Sequence, residues 1–178
     1  MANETMTLIS TVTVGAGGAT NINFTSIPQT YTDLFITYSG RSTQSASLAT
    51  IGIRFNGSSI AMSGKRLLGT GSAPGAFNTS GTTTLEVGLG PASTSTANSF
   101  SNTSIYIPNY AGSTNKSFSS DSVEEENSST AYSAIYASIW PSTAAITDIT
   151  LSIDLAHAQY TTASLYGILK GSGGATAS

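Results

Sequence analysis

Apolar side chains recur at every second position in one segment of this chain after another, the spacing that puts them on one face of an extended strand. Leu8, Val12 and Val14 line up over residues 6–14, and Ile22 joins Phe24 over 20–25. Leu34, Ile36 and Tyr38 follow over 33–39, then Ile51, Ile53 and Phe55 over 50–55. Leu85, Val87 and Leu89 share a face over 82–89. Tyr132, Tyr136 and Trp140 share another over 130–140, with Ile135 and Ile139 on its reverse. Ile149, Leu151 and Ile153, then Leu165 with Gly167, complete the series over 146–153 and 161–169.

No segment keeps a helical period, so the pattern predicts an all-β fold of eight to ten strands. The uneven spacing favours a two-sheet antiparallel β-sandwich, jelly-roll-like, over a closed barrel. Turn signals punctuate it. Residues Gly15 to Gly18 predict a hairpin joining the first two strands, and Asn56-Gly57 predicts a tight turn. Pro28 and Pro108 each follow an isoleucine at a strand end, where a missing N–H costs no ladder bond. The Gly/Ser/Pro-rich stretches 70–81 and 91–98 are expected to be exposed loops. "IPQTY" at 27–31 and "IPNYA" at 107–111 echo each other, as strand-end corners in two Greek keys would. An immunoglobulin-type sandwich is disfavoured, because its cysteine pair is missing and its usual length of ~100 residues is exceeded. No fixed-period repeat points to a solenoid or propeller.

Length and composition narrow the function more than the fold. At 178 residues the chain fits one domain. We expect that domain over 7–169, with an N-terminal arm at 1–6 and a Gly/Ser-rich C-terminal arm at 170–178. Only 15 residues are charged, whereas 57 are Ser or Thr, so the surface is polar but neutral. The net charge is -3 and the six Lys and Arg are scattered from Arg41 to Lys170. No basic stripe exists to displace counterions from phosphates, so neither nucleic acid nor an anionic membrane is an expected partner. The absence of cysteine removes disulfides and thiolate sites. The start, MANETMTLIS, lacks the pattern of a signal peptide, and no apolar run reaches the ~18 residues of a membrane helix. Synthesis in a cytoplasm is the expectation.

Candidate chemistry is thin. His157 is the single histidine, and Asp154, three residues away, would sit on the opposite face of a strand. One histidine and no cysteine are too few for zinc. "DSVEEENSST" at 121–130 holds Asp121, Glu124, Glu125 and Glu126, four of the nine acids. It is either a carboxylate cluster or a solvated loop. Its spacing misses the EF-hand pattern, and nothing apolar adjoins it to raise one pKa, so the loop reading is preferred. No catalytic, metal-binding or cofactor-binding residue is expected, and the chain is not expected to be an enzyme. Tyr31, Tyr110 and Tyr160 fall at predicted strand ends, where a ring would either cap the core or stack on a saccharide.

Five segments carry a resemblance: "FTSIPQTYTDLFITYSGR" (24–41), "IRFNGSS" (53–59), "IYIPNYAGSTNKSF" (105–118), "AITDITLSI" (145–153) and "YTTASLYGILKGSGGATAS" (160–178). Together they resemble a family of small β-rich virion structural proteins of tailed bacteriophages of aquatic bacteria. That resemblance implies a protein of the virion surface, made in the host bacterial cytoplasm. Its role would be capsid decoration (cement), bridging subunits of the major capsid protein as a homotrimer. Alternatively it would be a tail or head fibre component binding host surface polysaccharide. Both arms would then pack on neighbours, with Asn3, Glu4, Thr5, Lys170, Ser172, Ala175 and Thr176 as assembly contacts. The "VEEEN" stretch and the Ala-rich stretch 42–50 depart from the family.

Overall fold

In the computed structural model, residues 5–71, 73–125 and 131–169 are described. Twelve strands follow in order: β1 (Met6–Thr13), β2 (Ala19–Phe24), β3 (Asp33–Ser39), β4 (Leu48–Phe55), β5 (Met62–Gly69) and β6 (Pro74–Thr82), then β7 (Leu85–Pro91), β8 (Asn102–Pro108), β9 (Lys116–Glu125), β10 (Ala131–Trp140), β11 (Ile149–His157) and β12 (Thr162–Ile168). They form two antiparallel sheets. One has eight strands in the order β1-β12-β3-β8-β9-β10-β5-β6, and the other has four in the order β2-β11-β4-β7.

The pairing is nested. β1 pairs with β12, β2 with β11, β3 with β8 and β4 with β7. That is a long hairpin rolled onto itself into two layers, which is the jelly-roll arrangement. The four remaining strands are two inserted hairpins. β5–β6 leaves the chain between β4 and β7, and β9–β10 leaves it between β8 and β11. They join through β10 and β5 and attach to β8 through β9. The larger sheet is thereby doubled in width by a four-stranded extension.

The core lies between the sheets and is built from the alternating residues. Ile22, Phe24, Leu34, Ile36, Tyr38, Ile51, Ile53, Phe55, Leu85, Val87, Leu151 and Leu165 are all buried. β1 departs from its predicted alternation. A bulge between Leu8 and Ser10 shifts the register, so Leu8 is exposed while Ile9 and Val12 pack on the core.

Three further expectations are corrected. Residues 14–18 do turn, with the Gly18 N–H donating to Gly15 O at 3.0 Å, but β1 and β2 lie in different sheets, so no hairpin joins them. The chain crosses between layers there, a step that local sequence does not distinguish from a hairpin. The predicted loop at 70–81 is largely β6, an edge strand whose Pro, Gly and Ser content suits a solvated edge. The strand count rises to twelve because β5, β6 and β9 lack a continuous apolar face.

Asn56-Gly57 is a turn as expected. Both residues are left-handed, at φ 51° and 56°, and the Ser58 N–H donates to Phe55 O at 2.9 Å. The two echoing corners meet at one end of the sandwich. The Tyr110 hydroxyl donates to Pro28 O, and the Ile146 N–H donates to Tyr110 O at 3.0 Å.

Candidate functional site

The few ionisable groups are largely committed to holding the fold. Lys116 is only 1% exposed at the start of β9, and its ammonium donates to the carbonyls of Gly112 (2.7 Å), Thr114 (2.5 Å) and Ser142 (3.4 Å). Burial pushes its pKa down. Arg41 clasps the β7–β8 loop, donating through Nη1 to Thr96 O (2.7 Å) and Ser99 O (3.2 Å) and through Nη2 to Ser95 O (2.8 Å). Arg54 closes the Asn56-Gly57 turn by donating to Ser58 O at 3.0 Å. These scattered cations replace the amide partners that irregular backbone lacks.

Arg66 does different work. It pairs with Glu86 of β7, which also accepts the Tyr136 hydroxyl at 2.9 Å, and its guanidinium lies 4.2 Å from the Phe77 ring centroid. The cluster ties β5, β6 and β10 of the extension to the smaller sheet. Burial, then the Glu86 charge, drives the Tyr136 hydroxyl far above its usual pKa.

Serines perform a related task on β9. β7 is an edge of its sheet, and its backbone faces the inward side chains of β9. Ser120 Oγ donates to Val87 O at 2.7 Å, while Ser122 Oγ accepts from the Leu89 N–H at 3.1 Å. Hydroxyls thus cap an edge that would otherwise expose unpaired amides.

The acidic stretch is therefore not a solvated loop over 121–125. It is the end of β9, and period-two alternation sends Asp121 outward and Glu124 into the interior. Opposite faces prevent these two from sharing a cation. Ser104 Oγ donates to Asp121 instead. Glu126 lies outside the described residues, as do Asn3, Glu4, Lys170, Ser172, Ala175 and Thr176. Thr5 is described, and its carbonyl accepts from the Leu169 N–H at 2.9 Å, which prolongs the β1–β12 pairing.

His157 and Asp154 are apart. Asp154 is exposed and accepts the Thr50 N–H at 2.8 Å. His157 is buried, with Nε2 3.2 Å from Leu151 O and Nδ1 3.0 Å from the Tyr38 hydroxyl. Since a carbonyl only accepts, Nε2 carries the proton and Nδ1 accepts from Tyr38. Burial lowers the His157 pKa, so the folded imidazole stays neutral where an unfolded one would protonate. The unfolded state binds the extra proton, and stability must fall as pH drops below ~6.5. His157 is the single histidine of the chain, and an unfolded imidazole gains its proton as pH falls through about 6.5, so we assign to it the expected decline between about pH 6.5 and 5. We expect urea midpoints to decline over that window in the wild type and to stay flat in His157→Gln. An equal decline in both would refute the assignment.

The three tyrosines separate. Tyr110 is fully buried, which rules out stacking on a saccharide. Tyr31 lies half-buried over Gly167, where a Cβ would come within 2.3 Å of its ring, so it caps the core. Tyr160 is 64% exposed and left-handed at φ 71°, an uncommon backbone state for an aromatic residue.

What remains is a surface. On the outer face of the extension, Ile135 (61% exposed) sits beside Leu67 (62% exposed), its register partner on β5, and Leu67 in turn faces Ala76 on β6. Val123 and Ile139 are also exposed. Between them lie Ser119, Ser133, Ala137 and Ser63, and Lys65 and Asp121 are exposed on the same face. Sequence inspection had put Ile135 and Ile139 on the reverse of β10 but had no partner strand to place beside them. No family model, curated protein or solved structure matches this chain.

Proposed function

We propose that the chain is a structural protein of a phage virion surface, with a decoration role on the capsid. One observation carries the reading: two insertions into the jelly roll widen a single sheet, and the outer face of that extension exposes Leu67, Val123, Ile135 and Ile139. An enzyme of this size needs convergent polar groups in a cleft, whereas here Arg66, Glu86, Tyr136, His157, Lys116 and Arg41 are occupied with backbone and with one another. A broad neutral face suits lateral contact between proteins. The family resemblance supplies the setting, with the major capsid protein as partner.

Decoration acts by mass action, since a protein that binds the assembled lattice better than free subunits stabilises the lattice. Particles lacking this protein should assemble and then release DNA at a lower temperature than complete particles. Identical release temperatures would refute the proposal. The fibre reading rests on Tyr160, the one tyrosine of the three that is free to stack on host polysaccharide. Copy number separates the two, because a decoration protein is present in hundreds per particle and a fibre component in tens.

A further inference from the structure

The corner between β11 and β12 combines backbone strain with a buried titratable group. Leu155 and Tyr160 are both left-handed, at φ 65° and 71°, and both are largely exposed, so packing does not offset either conformation. Such states are costly for bulky residues and persist only where the surroundings hold them. Strand pairing gives little hold here. The β4 partner of β11 stops at Ile153, and pairing with β2 is interrupted between Ser152 and His157. Of residues 154–160 only His157 is buried, so its imidazole is the side chain that fixes the segment to the interior. A strap, residues 40–43, closes the corner through backbone. The Thr43 N–H donates to Ala156 O at 2.9 Å, the Ala158 N–H donates to Arg41 O at 2.8 Å, and a lone antiparallel bridge pairs Ser42 with His157.

A protonated ring does not fit the closed corner. Both nitrogens are engaged, and a proton added at Nδ1 would meet the Tyr38 O–H, donor against donor. No opposite charge adjoins the ring. On β11, Asp154 is exposed and accepts the Thr50 N–H, and on β3 the facing group is Tyr38 itself. On the strap, Arg41 reaches away to the β7–β8 loop, and Tyr160 is exposed before β12. β2 and the turn before it carry no ionisable side chain, while Asp33, Arg54, Asp148 and Tyr166 stand at the far ends of β3, β4, β11 and β12.

We propose that His157 is an acid-released latch, whose loss of hold in mildly acidic solution opens the corner 154–161 and the strap 40–43 while the two sheets stay packed. Opening hydrates the imidazole, which then takes its proton at the ordinary pKa of ~6.5, and it lets the two left-handed residues relax. The open form binds the extra proton, so opening gains about a decade per pH unit below ~6.5, or about thirtyfold between pH 7.5 and 5. Global unfolding carries the same linkage. What the latch adds is a smaller opening confined to one end of the sandwich. It does not depend on the virion reading, since it is a property of the purified chain.

Native-state hydrogen exchange on the full chain at about pH 7.5 and about pH 5, corrected for intrinsic rates, tests it. The amides of Thr43, Ala158 and Tyr160 should exchange about thirtyfold faster at the lower pH. Their rates should depend on urea much more weakly than those of Ile36 and Ile105, because a local opening exposes little surface. In His157→Gln, whose amide offers a donor and an acceptor but does not titrate, the corner amides should keep equal protection at both pH values. If that variant does not fold, the single imidazole resonance of the wild type decides the matter. It should stay at its neutral position at about pH 5 while the corner amides lose protection. Urea dependence equal to that of the central strands overturns the proposal, as does a corner unchanged by pH or equally accelerated in His157→Gln. So does an imidazole that titrates near its ordinary pKa of ~6.5 with the corner still protected.

Discussion

Trp140→Ala should cost about 3–5 kcal/mol of stability, the range for removing a large buried aromatic side chain. Trp140 ends β10 and is almost wholly buried, with its ring 5.4 Å from Phe55 of β4. Phe55 also meets Phe118 of β9 edge-on at 5.2 Å. Three aromatic rings from both sheets thus fasten the inserted β9–β10 hairpin to the jelly roll. The loss should exceed that of Ile135→Ala, on the outer face of the same strand, several-fold. Chemical denaturation of the two variants checks this, and near-equal losses would mean that the hairpin is not anchored by its inner face.

Lys116→Ala should be the next most damaging change, at about 2–4 kcal/mol. Hydrogen bonds from a charged group are worth more than neutral ones, and removing the ammonium takes the donor from the part-buried carbonyls of Gly112 and Thr114 and from that of Ser142. Lys116→Met keeps the aliphatic stem but not the donors, so it should recover little of the loss. Lys116→Arg should recover part. If methionine restores full stability, the side chain matters for its packing and not for the carbonyls of Gly112 and Thr114. Arg41 makes the analogous contacts on the β7–β8 loop, at the other end of the sandwich.

Much of the architecture was legible in the order of apolar residues. Strands β2, β3, β4, β7, β10, β11 and β12 each carry a period-two apolar face, and those faces form the core. β9 was not legible because its inward residues are Lys116, Phe118, Ser120, Ser122 and Glu124, four of them polar. Serine is selected there because the backbone of β7 is close enough to take its hydroxyl. Burial at those positions follows from a contact some thirty residues away in the chain. β6 was hidden for the opposite reason: an edge strand of an overhanging sheet has little to bury. The choice for Tyr110 between capping the core and stacking on a saccharide was not legible, because its acceptor, Pro28 O, belongs to a corner that only the fold brings near.

By itself, then, the sequence determined that this is an all-β sandwich with a neutral Ser/Thr-rich surface and one histidine. Those properties depend on local periodicity and on composition, which need no partner to express them. The tertiary structure decided what each exception is for. It turned the acidic stretch into a strand with Asp121 outside and Glu124 inside, and it made the isolated cations into loop clasps. It also set Ile135 beside Leu67, although they lie far apart in the chain, because two separate insertions pair along β10 and β5. Strand pairing between distant segments is not written in either segment's period, so the face they share could be found only once the chain was folded.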